Sequence, residues 1–67
     1  MNQGLTQKEF DWMKRLEAAT DECWDELTAW DQRFMENRLE AFRQYGMKTR
    51  ISKAQWNIID RISEKIL

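Results

Sequence analysis

The chain of 67 residues has room for one small domain, and with 34% charged and 42% hydrophobic residues it reads as a folded globular protein rather than a disordered or membrane-embedded one. It has no histidine, the commonest general base and metal ligand, and its single cysteine, Cys23, excludes an internal disulfide framework and fits a reducing compartment. No apolar run approaches the roughly 18 residues of a membrane span and no signal peptide is visible, so the expected setting is cytoplasmic, with no membrane partner.

The formal net charge of −1 hides an uneven distribution. Residues 1–26 carry three cations against seven carboxylates, 27–45 balance, and 46–67 carry five cations against two carboxylates. Attraction between the two ends within one fold explains this simply, and an anionic partner for the basic end explains it more sharply.

The first predicted helix covers 7–26. Thr6-Gln7-Lys8-Glu9 is a capping box, in which hydroxyl and carboxylate satisfy two free backbone N–H groups, and Leu5 and Phe10 stand at staple positions. Trp12, Met13, Leu16, Ala19, Cys23, Trp24 and Leu27 then fall on one helical stripe, with Phe10 at its edge. That stripe stays in phase as far as Phe34. A continuous helix over 7–45 would be about 58 Å long and could not bury its own stripe, giving a long helical hairpin that dimerises. A break near 26–28, at Thr28, is the favoured alternative.

The second predicted helix, 29–45, opens with the weaker box Thr28-Ala29-Trp30-Asp31. Trp30, Phe34, Ala41 and Tyr45 share one stripe and Met35, Leu39 and Phe42 the next, so about half the circumference is apolar. This is the pattern of a middle helix packed on both neighbours. Tyr45-Gly46 supplies the stop, with Gly46 in a left-handed conformation. The third helix, 53–66, starts with the capping box Ser52-Lys53-Ala54-Gln55 and the staple pair Ile51 and Trp56, and turns Trp56, Ile59 and Ile62 to one side with Ile58 beside them. Together these predict one all-α domain over 1–67, a three-helix bundle. The starts of the first and third helices also form a weak internal repeat, Leu5-Thr6…Glu9-Phe10 against Ile51-Ser52…Gln55-Trp56.

Little in the chain points to catalysis. Cys23 has acidic neighbours, Asp21, Glu22 and Asp25, which suppress a thiolate, and it lies on the apolar stripe. The i, i+4 pairs Glu22/Glu26 and Asp21/Asp25 lack the further oxygens and the turn that a calcium loop needs. The expectation is a non-enzymatic protein with no cofactor and no metal. Two binding surfaces present themselves instead. Arg43, Lys48, Arg50 and Lys53 lie along a basic 43–53 stretch that leads into the N-terminus of the third helix, which suits phosphate contacts with that helix as reader. Eight aromatic residues also exceed what three short helices bury, and Trp12, Trp24 and Trp30 with Arg33 and Arg38 at their rim have the composition of protein-interface anchors.

Trp30-Asp31 followed by Phe34, then Tyr45-Gly46, then Ile51-Ser52-Lys53-Ala54-Gln55-Trp56 with Ile59 and Ile62 resembles a recurrent tail in small phage and prophage proteins, W-[DE]-x-x-F, a spacer, and [LI]-S-x-x-Q-x-x-x-[LI]-x-x-I. The likeness covers just over half of the chain; Ala54 stands where Lys or Glu is usual. It implies a mobile-element context in DNA replication, recombination or host takeover, and carries no catalytic residues to transfer. The expected function is therefore that of a phage-type adaptor or inhibitor docking on a host or phage protein in DNA metabolism, with replication or defence machinery as the partner. Direct nucleic-acid binding through the 43–53 stretch is the alternative, and self-association as a structural homodimer the third.

Overall fold

The computed structural model describes residues 4–67. Three helices, α1 (Gln7–Glu22), α2 (Ala29–Tyr45) and α3 (Lys53–Ile66), form the expected three-helix bundle, with no strand among the described residues. Both strong start signals act as their sequences require. Thr6 Oγ1 accepts from the Glu9 amide at 3.1 Å while the Thr6 amide donates to Glu9 Oε1 at 2.9 Å. Ser52 Oγ accepts from the Gln55 amide at 3.2 Å while the Ser52 amide donates to Gln55 Oε1 at 3.0 Å. Each box thereby satisfies two donors at a helix boundary.

The first two helices are not fused, which removes the long dimerising hairpin and the premise of the self-associating reading. The first helix also ends four residues earlier than expected. After Glu22 the chain tightens into one 3₁₀ turn, Trp24–Glu26, and Leu27 turns extended. The carbonyl of Trp24 accepts from the Leu27 amide at 3.2 Å within the turn and also from Gln32 Nε2 at 2.8 Å, so α2 adds a second bond to it. Thr28 then caps α2, its Oγ1 accepting from the Asp31 amide at 3.0 Å. The tight turn delivers Leu27 into the core.

That core consists of Leu5, Met13, Leu16, Leu27, Met35, Leu39, Phe42, Ile59 and Ile62, with Ala19 buried as well. Phe10 packs its ring against Phe42, the centroids 5.1 Å apart. The backbone of α1, rather than that of α2, comes closest to both other helices. The reason lies in the second stripe of α2: Trp30 and Tyr45 stay on the surface, so only Met35, Leu39 and Phe42 serve the interior.

One member of that inner stripe is charged. Asp31 is 2% exposed and lies one turn before Met35. Its carboxylate accepts from Lys65 Nζ at 2.6 Å and sits 3.7 Å from the Arg61 guanidinium, both on α3. Thr28-Ala29-Trp30-Asp31 is thus only half a capping box, because the side chain that would complete it ties the start of α2 to the end of α3. The Lys65 hydrogen bond holds the Asp31 carboxyl below the usual carboxylate range; burial opposes this, while the Lys65 charge, Thr28 and Arg61 add to the lowering.

At the other end of α2, Gly46 has φ 57° and ψ −125°, the geometry of the first central residue of a type II′ turn rather than the left-handed helical conformation expected. The carbonyl of Gly46 then accepts from Thr49 Oγ1 at 2.7 Å and from the Thr49 amide at 3.1 Å, closing a second 3₁₀ turn, Gly46–Lys48, over the buried Thr49. The N-terminal arm lies on this turn: the Leu5 amide donates to the Met47 carbonyl at 2.8 Å. A side chain on Gly4 would bring its Cβ to 2.3 Å from that same carbonyl.

Three outcomes follow for stability. In urea unfolding at pH 7, Asp31→Asn lowers stability by about 1–2 kcal/mol, the scale of a charge-assisted hydrogen bond. Because the folded carboxyl titrates below its unfolded value of about 4, its contribution is full above that pH and lost below it. The gap between the parent chain and Asp31→Asn therefore narrows as the pH falls from about 5 to about 2. Gly46→Ala costs about 1 kcal/mol or more through its positive φ alone, since no atom stands within 4 Å of the added methyl, and D-alanine placed there by synthesis restores stability.

Candidate docking surface

The outer stripe of α2 is where the structure gathers chemistry. Trp30 is 53% exposed yet ordered by its neighbours: it stacks on Phe34, one turn along, with centroids 5.4 Å apart and planes 7° from parallel. The Arg61 guanidinium of α3 lies 5.9 Å from the Trp30 ring centroid, a cation–π distance, so Asp31, which attracts Arg61, indirectly seats the ring. Trp30, Phe34, Arg33, Asn37 and Arg38 line one groove, about 300 Å³, closed on the α3 side by Gln55. Asn37 Oδ1 accepts from Arg38 at 2.7 and 3.2 Å and fixes the direction of that guanidinium without neutralising it. Arg38 also lines the adjoining groove of about 280 Å³ with Ala41, Tyr45, Lys48, Thr49 and Arg50.

No carboxylate lines either groove. Among the described residues, none of Arg33, Arg38, Lys48 and Arg50 takes part in an ion pair. The result is one continuous face with an aromatic anchor at the start of α2, the exposed Tyr45 at its end, and uncompensated positive charge between and beside them.

The residues singled out from sequence are therefore sorted differently by the fold. Trp30, Arg33 and Arg38 come together, and Lys48 and Arg50, expected in a separate phosphate site, join them. Trp12 does not: it is half-buried in a cleft of about 450 Å³ between α1 and α3 with Trp56 and Asp60, and Arg15 lies 5.5 Å over its ring. Trp24, in the first 3₁₀ turn, lines a cleft between α1 and α2. Arg43 faces α1 and is engaged there, donating from Nε to Glu17 at 2.6 Å; this bond raises its pKa, burial opposes it, and the charges of Glu17, Asp21 and Glu40 add to the rise. Lys53 is exposed in the first turn of α3. Cys23 is half-buried, and no group of ligating side chains among the described residues could hold a metal.

Sequence reasoning placed Phe34 on the Trp30 stripe without counting it among the binding residues, and missed Arg61 as part of this face. The spacing of Phe34, four residues after Trp30, is a stacking signal; nothing local in α3 announces that Arg61 reaches α2. Among the described residues no helix is long and apolar enough to cross a membrane. Comparison with protein-family models, with curated proteins and with solved structures finds no match, so only the chemistry of the surface bears on its use.

A surface anchor and a core residue differ in what they contribute to folding. Trp30→Ala is expected to lower stability by no more than about 1.5 kcal/mol, the stacking and partial burial it has, whereas Met13→Ala, fully buried, costs about 2–5 kcal/mol. Paired urea unfolding curves measure the contrast.

Proposed function

We propose that this chain is a non-enzymatic docking module, an adaptor or inhibitor, that binds an acidic surface of a protein partner through the outer face of α2. The observation that carries the reading is the Trp30–Phe34 stack: a large exposed ring is fixed before any partner arrives, beside Arg33 and Arg38 and with no carboxylate in its groove. A ring already held loses little side-chain freedom on docking, and a Trp anchor flanked by arginine is the composition of interface hot spots. The likeness of the tail to small phage and prophage proteins supplies the context of this reading, with the partner in the replication or defence machinery of a host or in the phage's own DNA metabolism.

A second reading, direct nucleic-acid binding, is favoured by the unpaired Arg38, Lys48 and Arg50 beside exposed Tyr45, since a cationic track with an aromatic platform suits a single strand. It ranks below the first because Trp30 already has a stacking partner and Arg43 is neutralised by Glu17.

The two separate by mutation and by salt. A partner captured from host extract, then purified, is expected to lose affinity about tenfold or more with Trp30→Ala and to weaken with salt less steeply than an oligonucleotide would, because salt screens the charges but not the aromatic anchor. Labelled single- and double-stranded oligonucleotides titrated in parallel are expected not to bind. Oligonucleotide binding that falls steeply with salt and disappears in Lys48→Glu with Arg50→Glu would overturn the protein-docking reading.

A further inference from the structure

Trp12, expected among the surface anchors, belongs to neither groove of the docking face, and the fold gives it another setting. The caps Thr6 and Ser52 line one groove, so α1 and α3 run side by side in the same direction. Trp12 stands six residues after its cap and Trp56 four after its own, which sets the two indoles within one turn of the same height. Both are half-buried against the core, and both line the cleft of about 450 Å³ between the two helices. The charges of this cleft divide by wall. On α1, Lys8, Asp11, Trp12 and Arg15 recur at i, i+3, i+4 and i+7, one helical face; on α3, Asp60 follows Trp56 by one turn. Asp11 accepts from Gln7 at 3.0 Å, and Glu9 accepts from the Thr6 amide. Among the described residues none of Lys8, Arg15 and Asp60 takes part in an ion pair. The result is an aromatic slot with free cations on one wall and a free carboxylate on the other.

We propose that this cleft binds a small zwitterion of the aromatic α-amino acid class, its ring between Trp12 and Trp56, its carboxylate toward Lys8 and Arg15, and its ammonium toward Asp60. The volume lies in the range of small-molecule sites, about 300–1,000 Å³. The indoles give a flat ring both apolar burial and offset stacking. The rim then selects by charge. A ligand with only a carboxylate gains nothing from Asp60, and one with only an ammonium gains nothing from Lys8 and Arg15; a zwitterion pairs both walls. Arg15 needs little ordering to take part, because its guanidinium already lies 5.5 Å from the Trp12 ring centroid. The cleft shares no lining residue with either groove of the docking face, so this site stands apart from the docking reading.

L-Tryptophan is the probe, with tryptamine, which lacks the carboxylate, and indole-3-propionate, which lacks the ammonium, as its matched partners. Titrated into the full ¹⁵N-labelled chain, L-tryptophan is expected to give saturable shifts at the Trp12 and Trp56 indole N–H groups and none at that of Trp30. Lys8→Gln with Arg15→Gln weakens L-tryptophan about threefold or more, the scale of exposed ion pairs, and leaves tryptamine unchanged. Asp60→Asn weakens L-tryptophan about threefold and leaves indole-3-propionate unchanged. All three substitutions are at exposed positions, so the test does not depend on altering a ring that packs on the core. No saturable shift up to about 20 mM L-tryptophan overturns the proposal, as do shifts centred on Trp30. So does either variant that leaves L-tryptophan unchanged or weakens its matched partner equally.

Discussion

The carboxylate of Asp31 is the constraint on which the arrangement of the bundle turns. It sits where the interior stripe of α2 begins, and it can be buried there only because Lys65 and Arg61 reach it from the far end of α3. A desolvated charge tolerates few geometries, so this contact fixes the register of α3 against α2 in a way that Met35, Leu39, Ile59 and Ile62, which can slide past one another, do not. It also governs the surface. Arg61, drawn in by Asp31, lies over Trp30 and helps hold the ring that the proposed docking face presents.

Much of the fold was legible. The capping boxes at Thr6 and Ser52 marked the starts of α1 and α3 to the residue, because the pattern names both donors and both acceptors of the cap. Helical phase found the core positions Met13, Leu16, Met35, Leu39, Phe42, Ile59 and Ile62. It did not find Asp31, although Asp31 is in phase with Met35 and Leu39, because a carboxylate on an apolar stripe is taken for the edge of the helix until its cations are known. The end of α1 was misread because residues 20–26 contain neither Gly nor Pro to announce it. The chain turns there on the bonds from the Glu26 amide to the Cys23 carbonyl and from the Leu27 amide to the Trp24 carbonyl, to which Gln32 adds a second donor from α2.

The site was less legible than the fold. Trp12, Trp24 and Trp30 are alike in composition and periodicity, yet they open onto three different clefts. Phase on one helix says which residues share a face, not which faces of different helices adjoin. Likewise Arg43 and Lys48 are near neighbours in sequence, but one turn of helix and the Gly46 bend separate them: one is neutralised by Glu17, the other stands free beside Arg38 and Arg50. The bundle thereby separates charge across α2, with unpaired cations along its outer stripe and carboxylates toward α1, so one 17-residue helix presents opposite signs to opposite sides.

The hydrogen bond from the Leu5 amide to the Met47 carbonyl joins residues nearly two-thirds of the chain apart. Closing so long a loop has little local reward until the helices have collected, so in a bundle whose other backbone bonds are mostly short in sequence this one belongs to the final stage of folding. The arm and the second 3₁₀ turn consequently order together. The Leu5 amide, which sits outside every helix, becomes a reporter whose exchange with solvent deuterium tracks the joint release of the N-terminal arm and the α2–α3 connection rather than the fraying of one terminus.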